Sequence, residues 1–125
     1  MEKLKFKELP KIGQPLDGGT FAGLTTRKDG QHAAVVLLPF TPQYINWASA
    51  NEWAKKGGGE LPTRPVAALL FANVKDKLEL AWHWTADEEG ASFAWICYFD
   101  DGDQSSYHKS NEGSAVAVRL IPLAD

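Results

Sequence analysis

Acidic side chains are concentrated in one stretch of the sequence. Between Leu78 and His108 there is no lysine or arginine, but there are seven carboxylates: Glu79, Asp87, Glu88, Glu89, Asp100, Asp101 and Asp103. Hard cations such as Ca²⁺ bind several oxygen ligands that lie close together, and Asp100, Asp101 and Asp103 could supply them. The order Asp-Asp-Gly-Asp is also typical of a hairpin turn. We predict a turn there, with a cation site and a contact to a basic partner as alternatives.

Other residue types capable of chemistry are scattered along the chain. His32, His83 and His108 share no metal-ligand spacing, so the sequence predicts no metal site and no cofactor. Cys97 lies within an apolar run, which favours a buried thiol over a nucleophile. No motif brings together an acid, a base and a nucleophile. We therefore predict that the protein is not an enzyme; a metal-dependent or hydrolytic enzyme using His83 or His108 is the alternative.

A polar segment follows the acidic residues. Residues 102–113 are rich in Tyr, Ser, Asn and Gly, which form adaptable contact surfaces at low entropic cost. A solvated edge hairpin explains the same composition. The predicted partner-binding residues are Asp100, Asp101, Asp103, Gln104, Tyr107, His108 and Lys109. Tyr107 would act as an aromatic anchor, while the carboxylates would steer a basic partner.

Two arginines stand apart from the other charged residues. Arg64 and Arg119 each lie among apolar neighbours in the sequence. Such positions favour a fixed ion pair or hydrogen bonds to backbone carbonyls over free solvation. We predict a structural role for both.

The composition narrows the class of protein. A chain of 125 residues with 44% hydrophobic residues is expected to form a single globular domain, residues 1–125. One cysteine excludes an internal disulfide. No apolar run is long enough to cross a membrane and the first residues lack a signal-peptide pattern, so a cytoplasmic protein is expected. The net charge of −3 gives no general attraction for nucleic acid.

The N-terminal part, residues 1–58, is predicted to contain strands and the first helix. Lysines alternate with Leu4 and Phe6 in residues 3–11, which predicts a short strand. Residues 20–26 and 31–38 predict a hairpin around an Asp-Gly pair. The second of these strands is continuously apolar, so we expect it to be buried on both faces.

Helix signals lie in the middle of the chain. Thr41 is predicted to cap the first helix, with Pro42 in its first turn, and the glycines at 57–59 are predicted to end it. Thr63 is predicted to cap a second helix. Apolar residues at helical spacing from Val66 to Val74 give that helix a face for the core.

Strand patterns return after the second helix. Residues 80–85, 92–99, 104–110 and 114–121 alternate or run apolar between turn signals, which predicts an antiparallel meander. Strands, two helices and further strands in this order predict an α+β fold.

The second half of the chain contains a series of short motifs. They are Gly59-Glu60-Leu61-Pro62-Thr63-Arg64, a helix, Trp82-His83-Trp84-Thr85, Ala94-Trp95-Ile96-Cys97-Tyr98-Phe99, Gly102, Lys109-Ser110 and Val116-Ala117-Val118-Arg119. Over residues 59–121 this series resembles the C-terminal domain family of the Legionella collagen-like protein. That family is similar to the C-type-lectin-like fold, which formylglycine-generating enzymes and the variable tropism proteins of phages share.

The resemblance implies a fold and a set of structural residues. It implies a C-type-lectin-like domain in which two helices pack on small antiparallel sheets. Arg64 and Arg119 would hold this fold together, and Trp82, Trp84 and Trp95 would mark its core. The single cysteine is incompatible with the catalytic cysteine pair of formylglycine-generating enzymes. The Glu-Pro-Asn and Trp-Asn-Asp motifs of calcium-dependent lectins are missing, which argues against sugar binding through calcium.

The resemblance also implies a ligand surface on loops and late strands, here residues 100–111. We therefore expect a non-enzymatic binding protein of phage or prophage type, acting as a receptor binder or as an inhibitor of a host protein. Its expected partner is a protein rather than a membrane or a nucleic acid. Its expected location is the host cytoplasm or the virion. A structural homo-oligomer is a further alternative.

Overall fold

The computed structural model of the protein describes residues 3–124. Its strands and helices, in chain order, are β1 (Pro15–Leu16), β2 (Gly19–Thr26), β3 (His32–Leu37), α1 (Trp47–Lys56), α2 (Arg64–Val74), β4 (Trp82–Glu89), β5 (Phe93–Tyr98), β6 (Gln104–His108) and β7 (Val118–Pro122). The described chain is thus a mixed α+β structure with two α-helices and antiparallel sheets. No helix within residues 3–124 is long and apolar enough to cross a membrane.

The strands form two antiparallel sheets, in the order β1-β2-β3-β7 and β4-β5-β6. The predicted meander is therefore correct for β4, β5 and β6 but wrong for the last strand. β7 pairs with β3, with Val35 opposite Leu120 and Leu37 opposite Val118. A strand buried as deeply as β3 needs hydrogen-bond partners along both edges, and β7 supplies the second edge.

The predicted hairpin is confirmed, because β2 and β3 pair as antiparallel neighbours. Its register runs from Thr20 opposite Leu37 to Thr26 opposite His32, and every residue from Ala33 to Leu38 is buried. Successive β3 side chains enter two different core clusters. One cluster also contains the buried side of α1, and the other contains that of α2. Because strand side chains alternate between faces, continuous apolarity is what this central position requires.

Helix α2 begins where its cap predicts. The Thr63 hydroxyl accepts a hydrogen bond from the Val66 backbone N–H at 3.4 Å, and a proline occupies the first turn. The helix buries a stripe of side chains, Val66, Ala67, Leu70 and Val74. Complete burial of one such valine or leucine is worth about 1.5–3 kcal/mol, so this stripe anchors α2 to the sheets.

Helix α1 begins at Trp47, later than predicted, and Thr41 does not cap it. The cap is Asn46, whose side chain accepts a hydrogen bond from the Ser49 N–H at 2.9 Å. Ile45 and Gly113 exchange two backbone hydrogen bonds, at 2.9 and 3.0 Å, and this pairing keeps Ile45 out of the helix. The helix ends at Lys56 with Gly57 as its C-cap, where the glycines predict the end.

The predicted N-terminal strand is also wrong. Leu4 forms an isolated parallel bridge with Leu123, and Phe6–Glu8 forms a short 3₁₀ turn. The Glu8 carboxylate accepts a hydrogen bond from the Lys5 N–H at 2.9 Å, which closes the turn. The alternation of lysine and apolar residues therefore reflects exposure around a turn rather than the two faces of a strand.

Candidate functional site

The three aspartates of the acidic stretch lie in the turn between β5 and β6, which we call the acidic turn (Asp100–Asp103). The Asp100 carboxylate accepts a hydrogen bond from the Asp101 N–H at 3.0 Å, and the Asp101 carboxylate accepts one from the Asp103 N–H at 2.9 Å. All three residues are exposed. Within residues 3–124, no lysine, arginine or histidine nitrogen lies within 4.0 Å of their carboxylates. The turn chemistry is as predicted. The Lys75 ammonium donates to the Asp100 backbone carbonyl at 3.0 Å, whereas the three carboxylates form no ion pair among these residues.

Strand β6 continues from this turn and is the outer strand of its sheet. Successive side chains of a strand point to opposite faces, so Gln104 and Tyr107, an odd number of positions apart, lie on different faces of β6. The predicted partner-binding residues of β6 are therefore not brought together on one face. His108 is exposed, its ring packs edge-on against Phe93 at 5.5 Å, and its Nδ1 lies 2.7 Å from the Ser110 hydroxyl.

Tyr107 packs inward rather than beside Gln104 and His108. Its ring meets that of Trp82 edge to face, with 4.8 Å between the ring centres, and its hydroxyl is hydrogen-bonded to the Tyr98 hydroxyl. The side chain is partly buried. In this position the Tyr107 ring packs against Trp82, and only part of its surface is open to a partner.

Lys109 is held by contacts within the chain. Its ammonium donates to the Glu88 carboxylate at 2.7 Å and to the Ala91 carbonyl at 2.9 Å, and it lies 4.6 Å from the centre of the Trp47 ring. These contacts fix β6 to the preceding hairpin and to α1. Of the predicted partner-binding residues, the aspartates and His108 therefore remain the most accessible.

Gln104 and Arg64 bind each other in both directions. The Gln104 carbonyl oxygen accepts from the Arg64 Nε at 2.8 Å, and the Gln104 amide nitrogen donates to the Arg64 carbonyl at 3.0 Å. The guanidinium carbon lies 3.6 Å above the centre of the Trp95 ring. Arg64 thus joins the first turn of α2 to strands β5 and β6. Its side chain does so through an amide and an aromatic ring rather than through the ion pair or backbone-carbonyl bond that the sequence predicts.

An open recess lies between Arg64 and the acidic turn. It has a volume of about 550 Å³ and its lining includes Arg64, Asp87, Gly102 and Gln104. The Asp87 carboxylate accepts a hydrogen bond from the Arg64 backbone N–H at 2.7 Å, which satisfies a free donor at the start of α2. Asp87 belongs to the acidic stretch, and no local sequence signal indicates this contact with the distant Arg64.

Arg119 ties together three distant parts of the chain. Its Nε donates to the Gly58 carbonyl at 3.2 Å, and its Nη1 donates to the Asp17 carbonyl at 3.0 Å and to the Asp17 carboxylate at 2.9 Å. Asp17 follows β1, Gly58 follows α1, and Arg119 belongs to β7. These bonds combine the predicted ion pair with the predicted carbonyl contacts.

The three tryptophans of the resembled motifs differ in depth. Trp84 is fully buried, and its indole N–H donates to the Ile45 carbonyl at 2.9 Å. Trp82 is partly buried and meets the Trp84 ring edge to face at 5.1 Å. Trp95 is partly buried beneath Arg64. Only Trp84 therefore lies entirely within the core.

His83 and Cys97 lie in the interior of the protein. His83 is fully buried against Phe99, its Nδ1 bonds to the Ala81 carbonyl at 2.9 Å, and its Nε2 has no hydrogen-bond partner within residues 3–124. Burial lowers the pKa of His83 and raises the pKa of the opposing Cys97. Both groups are therefore favoured in their neutral forms and screened from solvent.

No cluster of metal ligands accompanies these groups. In the part of the chain that the structure describes, no three or more His, Cys, Asp or Glu side chains are placed to hold a metal ion together. The carboxylates of the acidic turn are instead directed in part to backbone N–H groups of the turn itself. Comparison with models of protein families and with curated protein sequences finds no match to this chain.

Proposed function

We propose that the protein is a non-enzymatic binding protein that recognises a basic protein partner through the acidic turn. The observation that carries the proposal is the set of three exposed carboxylates, none of which forms an ion pair among residues 3–124. One lysine, Lys75, contacts the turn, but its ammonium binds the Asp100 backbone carbonyl and not a carboxylate. The three carboxylates lie at one end of β6, the outer strand of its sheet. A protein surface that carries unpaired charge attracts a partner of opposite charge and orients it during encounter.

The fold proposal follows the resemblance of the second half of the chain. We propose a C-type-lectin-like fold of the Legionella collagen-like C-terminal domain family, in a protein of phage or prophage type. Two helices against small antiparallel sheets, and a turn next to the late strand β6 as the contact surface, are compatible with this proposal. A receptor binder and an inhibitor of a host protein both remain within it.

The size of the expected effect follows from the exposure of the carboxylates. One exposed ion pair contributes about 0.2–1 kcal/mol. Three such pairs would therefore change the dissociation constant between about threefold and about a hundredfold. Salt weakens exposed ion pairs, so the affinity should fall when the ionic strength rises.

The test is capture from a bacterial lysate by the immobilised protein, followed by quantitative mass spectrometry. The variant D100N/D101N/D103N keeps the oxygen acceptors of the turn while removing three charges. The matched control E52Q/E60Q/E89Q removes three exposed charges elsewhere. We expect the first variant to lose a basic protein that the control still captures. Equal capture by both variants would overturn the assignment of the surface.

A further inference from the structure

A small cavity lies where three distant segments meet. It has a volume of about 170 Å³ and is lined by residues 43–44 before α1, by Glu79, Ala81 and Trp82 around the start of β4, and by residues 112–114 after β6. The lining combines aromatic side chains, Tyr44 and Trp82, with carboxylates, Glu79 and Glu112. A cavity of this size suits the end of one side chain, because sites for drug-sized ligands measure about 300–1,000 Å³.

The cavity is built on a rigid frame. A Cβ placed on Gly113 would lie 2.2 Å from the Trp82 ring, so only glycine lets the ring pack against this backbone. Gly113 is fixed by its paired hydrogen bonds with Ile45, and Trp82 is held edge to face by Trp84 and Tyr107. A preformed wall lowers the entropic cost of binding.

Tyr44 projects from a backbone conformation that L-residues disfavour. Its φ is +59°, and 76% of its surface is exposed. Burial of the ring therefore does not compensate for the left-handed backbone. The neighbouring Ile45–Gly113 pairing holds the segment in place and leaves the tyrosine ring displayed at the cavity.

The charge of the cavity is negative and unbalanced. The Gln43 amide donates to both oxygens of Glu79, at 3.1 and 3.3 Å, which orients that carboxylate. Glu112 is exposed. Within residues 3–124, neither glutamate has a basic nitrogen within 4.0 Å. A ligand that satisfies both the carboxylates and the aromatic rings carries a positive charge next to aliphatic carbon.

We propose that this cavity binds the alkylammonium group of a lysine side chain on the partner protein. Ammonium groups are attracted to aromatic rings and to carboxylates alike. One lining residue connects the cavity to the strand that leads into the acidic turn: the Ala81 carbonyl accepts a hydrogen bond from the Phe99 N–H at 3.1 Å, and Asp100 follows Phe99. The inference rests on the proposed function for its partner, but the cavity itself can be tested without one.

The experiment is an NMR titration of the whole protein with Nα-acetyl-lysine methylamide. We expect saturable shifts, at millimolar probe, of the Trp82 indole N–H and of the amides at 43–45 and 112–114. The norleucine methylamide analogue has the same aliphatic chain without the ammonium, and it should produce none of these shifts. Equal responses to the two probes, or no response to the lysine probe, would overturn the proposal.

Matched variants locate the binding site. Glu112→Gln and Tyr44→Ala should each weaken binding of the lysine probe about two- to fivefold, whereas Glu89→Gln, which removes an exposed glutamate elsewhere, should leave it unchanged. Equal effects of E112Q and E89Q would contradict the assignment. The amide spectrum of each variant reports whether the fold is retained.

The two proposals can fail separately. Charge-dependent capture of a basic protein, together with no response to the lysine probe, would overturn the cavity and leave the acidic turn as the contact surface. Saturable binding of the lysine probe, with no capture that depends on the acidic turn, would support the cavity and overturn the proposed function.

Discussion

Replacing Gly113 with alanine is expected to destabilise the protein by displacing the Trp82 indole. The added Cβ would lie 2.2, 2.4 and 2.5 Å from three carbons of the ring. Carbon atoms in favourable contact are about 3.5–4.0 Å apart, so the ring and the new methyl group would have to separate by at least about 1 Å.

Neither side of this contact can move easily. Gly113 is hydrogen-bonded twice to Ile45, and the Trp82 ring is held by Trp84 and Tyr107 at 5.1 and 4.8 Å between ring centres. Forcing extra volume into a packed site costs about 1–3 kcal/mol. In a chain of this length each kcal/mol lowers the melting temperature by about 4 °C, which gives an expected fall of about 4–12 °C.

Thermal unfolding followed by circular dichroism, with urea unfolding as a second measure, tests this expectation. The matched control is Gly57→Ala, because a Cβ there has no neighbour nearer than 3.6 Å and φ is −80°. The control should change the free energy of unfolding by less than about 0.5 kcal/mol. Equal melting temperatures for the two variants would refute the packing argument.

Three further perturbations test other parts of the structure. Burial lowers the pKa of His83, so the unfolded chain binds more protons than the folded one, and the free energy of unfolding should fall as the pH drops below about 6.5. Urea titrations at several pH values should show a smaller fall for His83→Asn, and equal slopes of this free energy against pH for the two proteins would contradict the expectation. Arg119→Lys keeps the charge but loses the guanidinium geometry that bonds both Asp17 and the Gly58 carbonyl, so the free energy of unfolding in urea should fall by about 1–2 kcal/mol. The control Arg27→Lys should leave this free energy unchanged. Burial raises the pKa of Cys97, so a disulfide reagent should label its thiol slowly in the native protein and rapidly in urea; fast native labelling would show that the thiol is accessible.

Local sequence signals predict the elements whose ends depend on nearby residues. The cap of α2 at Thr63 and the Asp29-Gly30 hairpin are examples, because the stabilising contacts lie within a few residues. The start of α1 is different. It depends on pairing between Ile45 and Gly113, which are far apart in the sequence, so Thr41 and Pro42 gave a wrong prediction.

The candidate site was predictable in part for the same reason. The acidic turn was identified from adjacent residues, and its hydrogen bonds are local. The alternation of side chains along a strand predicts that Tyr107 lies on the opposite face of β6 from Gln104 and His108. How deeply Tyr107 is buried depends instead on its packing against Trp82. The cavity carries no local signal, because it forms only when three distant segments meet.

The most direct test of partner recognition is amide hydrogen exchange of the protein, free and bound to the basic protein that it captures. We predict that binding slows exchange at residues 98–104 around the acidic turn, and at residues 43–45 and 112–114 around the cavity. Helix α1 on the exposed side and the β2–β3 hairpin should exchange at unchanged rates. Protection confined to those elements, with none at the acidic turn, would contradict recognition through this surface.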